Sequence, residues 1–150
     1  MSSFAIKAAR NAIEGDDTLA DAHASLVGVL KSYHWDWAGA EAEYKQALEL
    51  SPNFATAHRW YADFLCALGR TDEAVREMER ALELDPLSLI INTESAWISY
   101  LARDTGCAMD QAVKTLKIEP HFYPACHILG LDYELMGEGE NVEATGFCHY

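Results

Sequence analysis

Residues 55–88, which decide the fold, read ATAHRWYADFLCALGR and then TDEAVREMERALELDPLS. In both halves, small and apolar residues recur every three or four positions, which is the pattern of an amphipathic helix. A Leu-Gly-Arg turn at 68–70 separates the halves, and Pro86 closes the second one. The stretch is therefore predicted to form two helices joined by a short turn.

The same punctuation recurs along the chain at a fixed interval. Two sets of residues are spaced 34 apart, namely Pro52, Pro86 and Pro120, and Ala40, Ala74 and Ala108. A period of this length indicates a stack of helix pairs, in which each pair buries its apolar surface against its neighbours. We therefore predict an all-α solenoid of stacked antiparallel helix pairs.

The period divides residues 1–150 into a single array. We expect a half repeat with only its second helix, three complete repeats and a partial fourth repeat, at 1–19, 20–54, 55–88, 89–122 and 123–150. The second helices of the complete repeats are predicted to end at Leu50, Leu84 and Ile118, and Thr71 is predicted to cap the helix of residues 71–84. We also expect the array to continue before residue 1.

The charge of the chain limits its partners. Its 24 acidic and 11 basic residues give a formal net charge of -13. This charge repels nucleic acid and anionic lipid headgroups and favours basic or neutral partners. The sequence contains neither an apolar run long enough to span a membrane nor a signal peptide, so we expect a cytoplasmic location and no contact with membranes.

No sequence motif points to catalysis or to a bound metal. The four cysteines are scattered without a CxxC pair, which predicts reduced thiols rather than disulfides or structural zinc. Cys126 and His127 are adjacent, so their side chains point to different faces of a helix. The chain has no glycine-rich phosphate loop, nucleophile elbow or HExxH motif. We therefore predict a protein that is not an enzyme and has no cofactor or metal.

These repeats resemble tetratricopeptide repeats, a family of 34-residue units with a small residue in the first helix (helix A), alanines in the second (helix B) and a closing proline. The matching positions hold Ala62, Ala96 and Gly130 in helix A, and Ala40, Ala74, Ala108, Ala47 and Ala81 in helix B. Where the family often has a tryptophan early in helix A, this chain has His23, His58, Asn92 and Cys126. The segments 35–41 and 53–58 also resemble repeat blocks of larger bacterial signalling and regulatory proteins.

The resemblance implies a right-handed superhelix whose concave face is lined by helix A residues and binds a peptide or a helix of another protein. Carried over by position, the groove residues are Lys31, Arg59, Asp63, Trp97, Tyr100, His127, Leu131 and Glu134. Aromatic residues and arginine are the types that anchor partners best. Two alternatives stay open: Arg59 and Asp63 form only a surface pair, and Trp97 and Tyr100 pack between helices.

Two other functions are compatible with the sequence. Incomplete repeats at the ends would leave apolar faces, including Leu129 and Tyr133, through which copies could stack into a homo-oligomeric scaffold. Alternatively, the array is an accessory segment of a larger bacterial kinase, cyclase or transcription regulator.

Overall fold

The computed structural model describes residues 37–137, and these residues form six helices. The helices are α1 (Trp37–Leu50), α2 (Ala55–Ala67), α3 (Thr71–Leu84), α4 (Leu89–Leu101), α5 (Thr105–Ile118) and α6 (Tyr123–Leu135). No strand occurs between residues 37 and 137. The predicted all-α fold is confirmed, and α1, α3 and α5 end at the predicted residues Leu50, Leu84 and Ile118.

Helices α2, α4 and α6 begin at Ala55, Leu89 and Tyr123, which are the first residues of three predicted repeats. The division of the chain into repeats remains our proposal. The predicted half repeat at 1–19, the first helix of the repeat at 20–54 and the end of the repeat at 123–150 lie outside the described residues.

The chain divides into two compact units, Met1–Tyr61 and Ala62–Tyr150. In the described part of the first unit, α1 buries Tyr44 between two small residues, Ala40 and Ala47. The ring centroids of Tyr44 and Tyr61 are 5.5 Å apart, and the Tyr61 hydroxyl donates a hydrogen bond to Glu41 Oε1 at 3.1 Å. An aromatic contact and a hydrogen bond therefore join α1 to α2.

In the second unit, α4 packs against α3, α5 and α6, and α5 packs against α6. The core between α4, α5 and α6 consists of Ala96, Ala112, Leu116, Ala125, Cys126, Ile128 and Leu129. Its alanines allow the helix backbones to approach closely, while Leu116 and Leu129 fill the remaining space. Leu129 is fully buried, so its assignment to an exposed end face was wrong.

Side chains early in helix A attach it to the preceding proline turn. In the first unit, His58 Nε2 lies 2.9 Å from the carbonyl oxygen of Pro52. In the second, Asn92 Nδ2 donates to the carbonyl oxygens of Pro86 and Ser88, at 2.9 and 2.8 Å. Polar residues thus satisfy backbone carbonyls in the turn that precedes the helix, at the position where the family often has tryptophan.

The turns within the repeats share one backbone geometry. Gly69, Arg103 and Gly137 are 34 residues apart and have φ angles of 76°, 64° and 74°. The following amide reaches back to a helix carbonyl in two of these turns, from Arg70 to Leu65 at 2.9 Å and from Asp104 to Ser99 at 3.0 Å. This is the hydrogen bond of a Schellman motif, which requires a left-handed residue after the helix.

The prediction that Thr71 caps α3 was wrong, because Thr71 is the first residue of the helix and Arg70 takes the cap position. The Schellman turn brings the chain into the helix one residue earlier than predicted. Arg70 donates two hydrogen bonds to the carboxylate of Glu73, both 2.7 Å long. Helices α4 and α5 have ordinary caps, in which Ser88 and Asp104 accept hydrogen bonds from backbone amides.

Candidate functional site

Helix α4 presents a stripe of exposed apolar side chains. Ile90, Trp97 and Leu101 are 55%, 39% and 44% exposed. Their separations of seven and four residues place them on one face of the helix. Scattered apolar residues are ordinary on a protein surface, but a contiguous stripe of large ones indicates a site of interaction.

Trp97 is held in a stacked pair at the surface. Its ring centroid lies 5.5 Å from that of Tyr100, and the two ring planes differ by 22°. The rings therefore keep a defined orientation before any partner binds, which lowers the entropic cost of binding. Since Trp97 remains 39% exposed, it is not enclosed between helices.

Helix α6 carries a second stripe. Tyr123 is 64% exposed, and its ring is nearly parallel to that of the exposed His127, with centroids 6.3 Å apart. The half-buried Leu131 follows one turn later, and Glu134 is exposed at the end of the helix. This stripe is aromatic at its start and acidic at its end.

The two stripes lie on helices that pack against one another. Trp97 and Leu131 hold the same position in successive repeats, and so do Tyr100 and Glu134, so the stripes run side by side in the same register. We call the combined surface the helix-A face, and it comprises Ile90, Trp97, Tyr100, Leu101, Tyr123, His127, Leu131 and Glu134.

Charge is segregated between the helices of the second unit. Helices α4, α6 and the part of α2 after Tyr61 contain no lysine or arginine. The basic residues between 62 and 137 all lie on α3, on α5 or in turns, and they are Arg70, Arg76, Arg80, Arg103, Lys114 and Lys117. The acidic side chains Asp63, Glu94 and Glu134 lie on the helices that lack cations. The helix-A face therefore combines aromatic surface with negative charge.

The predicted groove residues fall into three groups. Trp97, Tyr100, His127, Leu131 and Glu134 all belong to the helix-A face. Arg59 and Asp63 both lie on α2, Arg59 in the first unit and Asp63, exposed, in the second. Lys31 lies outside the described residues. The guanidinium carbon of Arg59 is 5.5 Å from the ring centroid of Trp60, within the range of a cation–π contact.

Three members of the face were missed in the sequence, namely Ile90, Leu101 and Tyr123. Ile90 and Leu101 could have been found from their helical spacing to Trp97, because separations of seven and four residues return to the same side of a helix. Tyr123 lies four residues before His127, and the same rule applies to it.

Asp132 is a buried carboxylate next to this face on the chain but not part of it. Its side chain is fully buried, and neither carboxylate oxygen has a hydrogen-bond partner. Burial raises the pKa of Asp132 from 3.8 to about 6. The equivalent positions of the two preceding repeats hold the buried apolar residues Phe64 and Ile98. Asp132 is thus a polar substitution in the core.

The described residues were also considered for other kinds of site. Between residues 37 and 137, no group of three or more His, Cys, Asp or Glu side chains is arranged to hold a metal ion. Each helix in this range is too short or too polar to cross a bilayer.

Comparison with known proteins identifies the repeats. Residues 36–90 match the sequence profile of the tetratricopeptide repeat family. No curated protein matches the chain significantly by sequence.

Several solved structures share the fold. PilW, a widely conserved type IV pilus biogenesis factor, is 24% identical with a TM-score of 0.84, covering 95% of this chain and 66% of PilW. MamA of Desulfovibrio magneticus RS-1 is 12% identical with a TM-score of 0.81, covering 95% of this chain and 80% of the other. YrrB, a tetratricopeptide-repeat protein with an unusual peptide-binding site, is 17% identical with a TM-score of 0.74, covering 94% and 72%. The chain therefore carries tetratricopeptide repeats and has the all-α fold of a tetratricopeptide-repeat solenoid.

Proposed function

We propose that this chain is a non-enzymatic protein-interaction module that binds a peptide or a helix of another protein along the helix-A face. The observation that carries the proposal is the pair of exposed apolar stripes on two packed helices, α4 and α6. The fold supports it, because the chain shares the architecture of tetratricopeptide-repeat proteins, one of which is described by its peptide-binding site.

The proposed mechanism is burial of the partner's apolar groups against Trp97, Leu101 and Leu131. Removing apolar surface from water contributes about 25 cal/mol per Å², and aromatic anchors concentrate this free energy in a few residues. The stacked rings of Trp97 and Tyr100 are already oriented, so less entropy is lost when the partner binds. Arg59 and Lys31 remain proposed contacts outside this face.

The charge of the chain selects among partners. A net charge of -13 favours basic or neutral ligands and disfavours nucleic acid. We further propose a cytoplasmic location, which the reduced thiols of Cys66, Cys107 and Cys126 support.

A peptide library displayed on phage tests the proposed function. Peptides selected on the wild-type chain are synthesised, and their Kd values are measured by fluorescence anisotropy. We expect Trp97→Ala combined with Tyr100→Ala to weaken binding at least about ten-fold, which corresponds to about 1.4 kcal/mol, because both anchoring rings are lost.

The matched control carries Arg80→Ala and Glu83→Ala on α3, which removes an exposed ion pair 2.9 Å long and leaves the helix-A face intact. Its Kd should stay within about two-fold of wild type, since exposed ion pairs contribute little. Circular dichroism establishes that both variants keep their helices. If the double aromatic variant binds the selected peptides as tightly as the control, the helix-A face is not the binding site.

A further inference from the structure

We propose that the helix-A face contains a subsite for an arginine or lysine side chain of the bound peptide, formed by the stacked rings of Trp97 and Tyr100 together with the carboxylate of Glu134. The inference rests on the proposed function, because it names the chemistry of the peptide that this face would take.

The first argument is the register of the two helices. Tyr100 and Glu134 are 34 residues apart and hold equivalent positions on α4 and α6, which pack against each other. Packed helix axes lie about 8–10 Å apart, so the carboxylate of Glu134 is within a side chain's length of the aromatic pair. An extended cationic side chain can therefore lie over the rings and place its head at Glu134.

The second argument is chemical complementarity. A guanidinium or ammonium group is attracted to the face of an aromatic ring within about 6 Å of its centroid, and tryptophan is the best such ring. Arginine can stack on the ring with its plane while it donates paired hydrogen bonds to a carboxylate. Arg59 and Trp60 show this attraction within the first unit, at 5.5 Å.

The third argument is the absence of a competing cation. Within residues 62–137, the helices that form the face carry no lysine or arginine, and the described residues hold no ion pair of Glu134. A basic peptide would supply the missing positive charge. An acidic peptide would instead be repelled by Asp63, Glu94 and Glu134.

A comparison of two peptides with four forms of the protein tests the subsite. The probe is a peptide selected on the wild-type chain, synthesised once with arginine and once with citrulline at its cationic position. Citrulline keeps the shape of arginine and removes its charge. We expect the arginine peptide to bind the wild type about three-fold to ten-fold more tightly than the citrulline peptide, and increasing salt to reduce this ratio.

The variants locate the preference. Glu134→Gln removes the carboxylate, and Trp97→Leu keeps apolar volume but removes the ring, so each should bring the arginine-to-citrulline ratio to within about two-fold of unity. Asp110→Asn, at an exposed carboxylate on α5, should leave the ratio unchanged. Retention of the full ratio in both Glu134→Gln and Trp97→Leu would overturn the subsite.

Other outcomes separate the subsite from the proposed function. If the selected peptides lack arginine and lysine, or if arginine and citrulline peptides bind the wild type equally, the cationic subsite is wrong. The module itself stands in that case, provided that Trp97→Ala with Tyr100→Ala still weakens both peptides. If no selected peptide depends on the two rings, both proposals fail.

Discussion

At the scale of single residues, Asp132 is the least expected feature of the second unit. Burying a carboxylate without a hydrogen-bond partner is costly, and the neutral acid is the form that such a site tolerates better. Desolvation therefore raises its pKa to about 6. The consequence is a core that becomes less stable when this residue ionises.

The direction of the pH effect follows from the two pKa values. The unfolded chain releases the Asp132 proton near pH 3.8, whereas the folded chain holds it until about pH 6. Between these values the folded state binds more protons, so its stability falls as the pH rises, and the full penalty applies above pH 6. The separation corresponds to about 3 kcal/mol, as an order of magnitude.

We predict that Asp132→Leu stabilises the chain at pH 7.5 by about 1–3 kcal/mol and by much less at pH 4. Leucine restores the apolar character that Phe64 and Ile98 have at the equivalent positions. The free energy of unfolding is measured by urea denaturation at both pH values. Asp110→Asn, at an exposed site, serves as the control for removing one carboxylate. Equal effects of Asp132→Leu at both pH values would contradict the prediction.

At the scale of helices and turns, one left-handed residue follows a helix in three equivalent places. Glycine fills this position at 69 and 137, where the φ angle is about 75°, whereas residue 103 is arginine with a φ of 64°. A side chain in this region is strained by its own Cβ atom. The Schellman hydrogen bond from Asp104 to Ser99 holds Arg103 in this conformation.

We predict that Arg103→Gly stabilises the chain by about 0.5–1 kcal/mol, because relief of strain exceeds the larger entropy that glycine gives the unfolded chain. The converse change, Gly69→Ala, should destabilise by about 1 kcal/mol. A Cβ at Gly69 would meet no atom within 4 Å, so the expected loss comes from backbone strain alone. Thermal unfolding measures both variants. A lower melting temperature for Arg103→Gly than for the wild type would refute the argument.

At the scale of the whole molecule, stability should be distributed locally. The buried cluster around Leu116 joins α4, α5 and α6, which are neighbours in sequence. In repeat proteins, each unit is stabilised chiefly by its immediate neighbours. Damage to one cluster should therefore loosen the helices that share it before it affects distant ones.

We predict that Leu116→Ala costs about 2–5 kcal/mol in the local stability of these helices, since Leu116 is fully buried. Hydrogen exchange should show faster exchange in α4, α5 and α6 and little change in α1. Leu101→Ala, at a 44% exposed position of α4, provides the control and should have a smaller effect. Uniform loss of protection across 37–137 would show that the chain unfolds as one cooperative body.

The sequence alone determined the helices, their lengths and the residues that had to be small. Spacing of 34 residues and local propensity suffice for this, because a helix end at Leu84 or a left-handed turn at Gly69 depends on the neighbouring residues in the chain. The same signals could not show that Leu129 is buried, nor that Arg103 adopts the conformation of a glycine.

Only the tertiary structure decided which helix surfaces remain exposed. Trp97 and Ile98 are adjacent and both apolar, yet Trp97 lies on the surface and Ile98 is buried. The difference arises because α4 packs against three other helices and leaves one side open. Packing likewise determines that Asp132 is enclosed while Glu134, two residues later, faces solvent. Exposure is a property of the neighbours that cover a residue, and the chain acquires those neighbours only when its helices assemble.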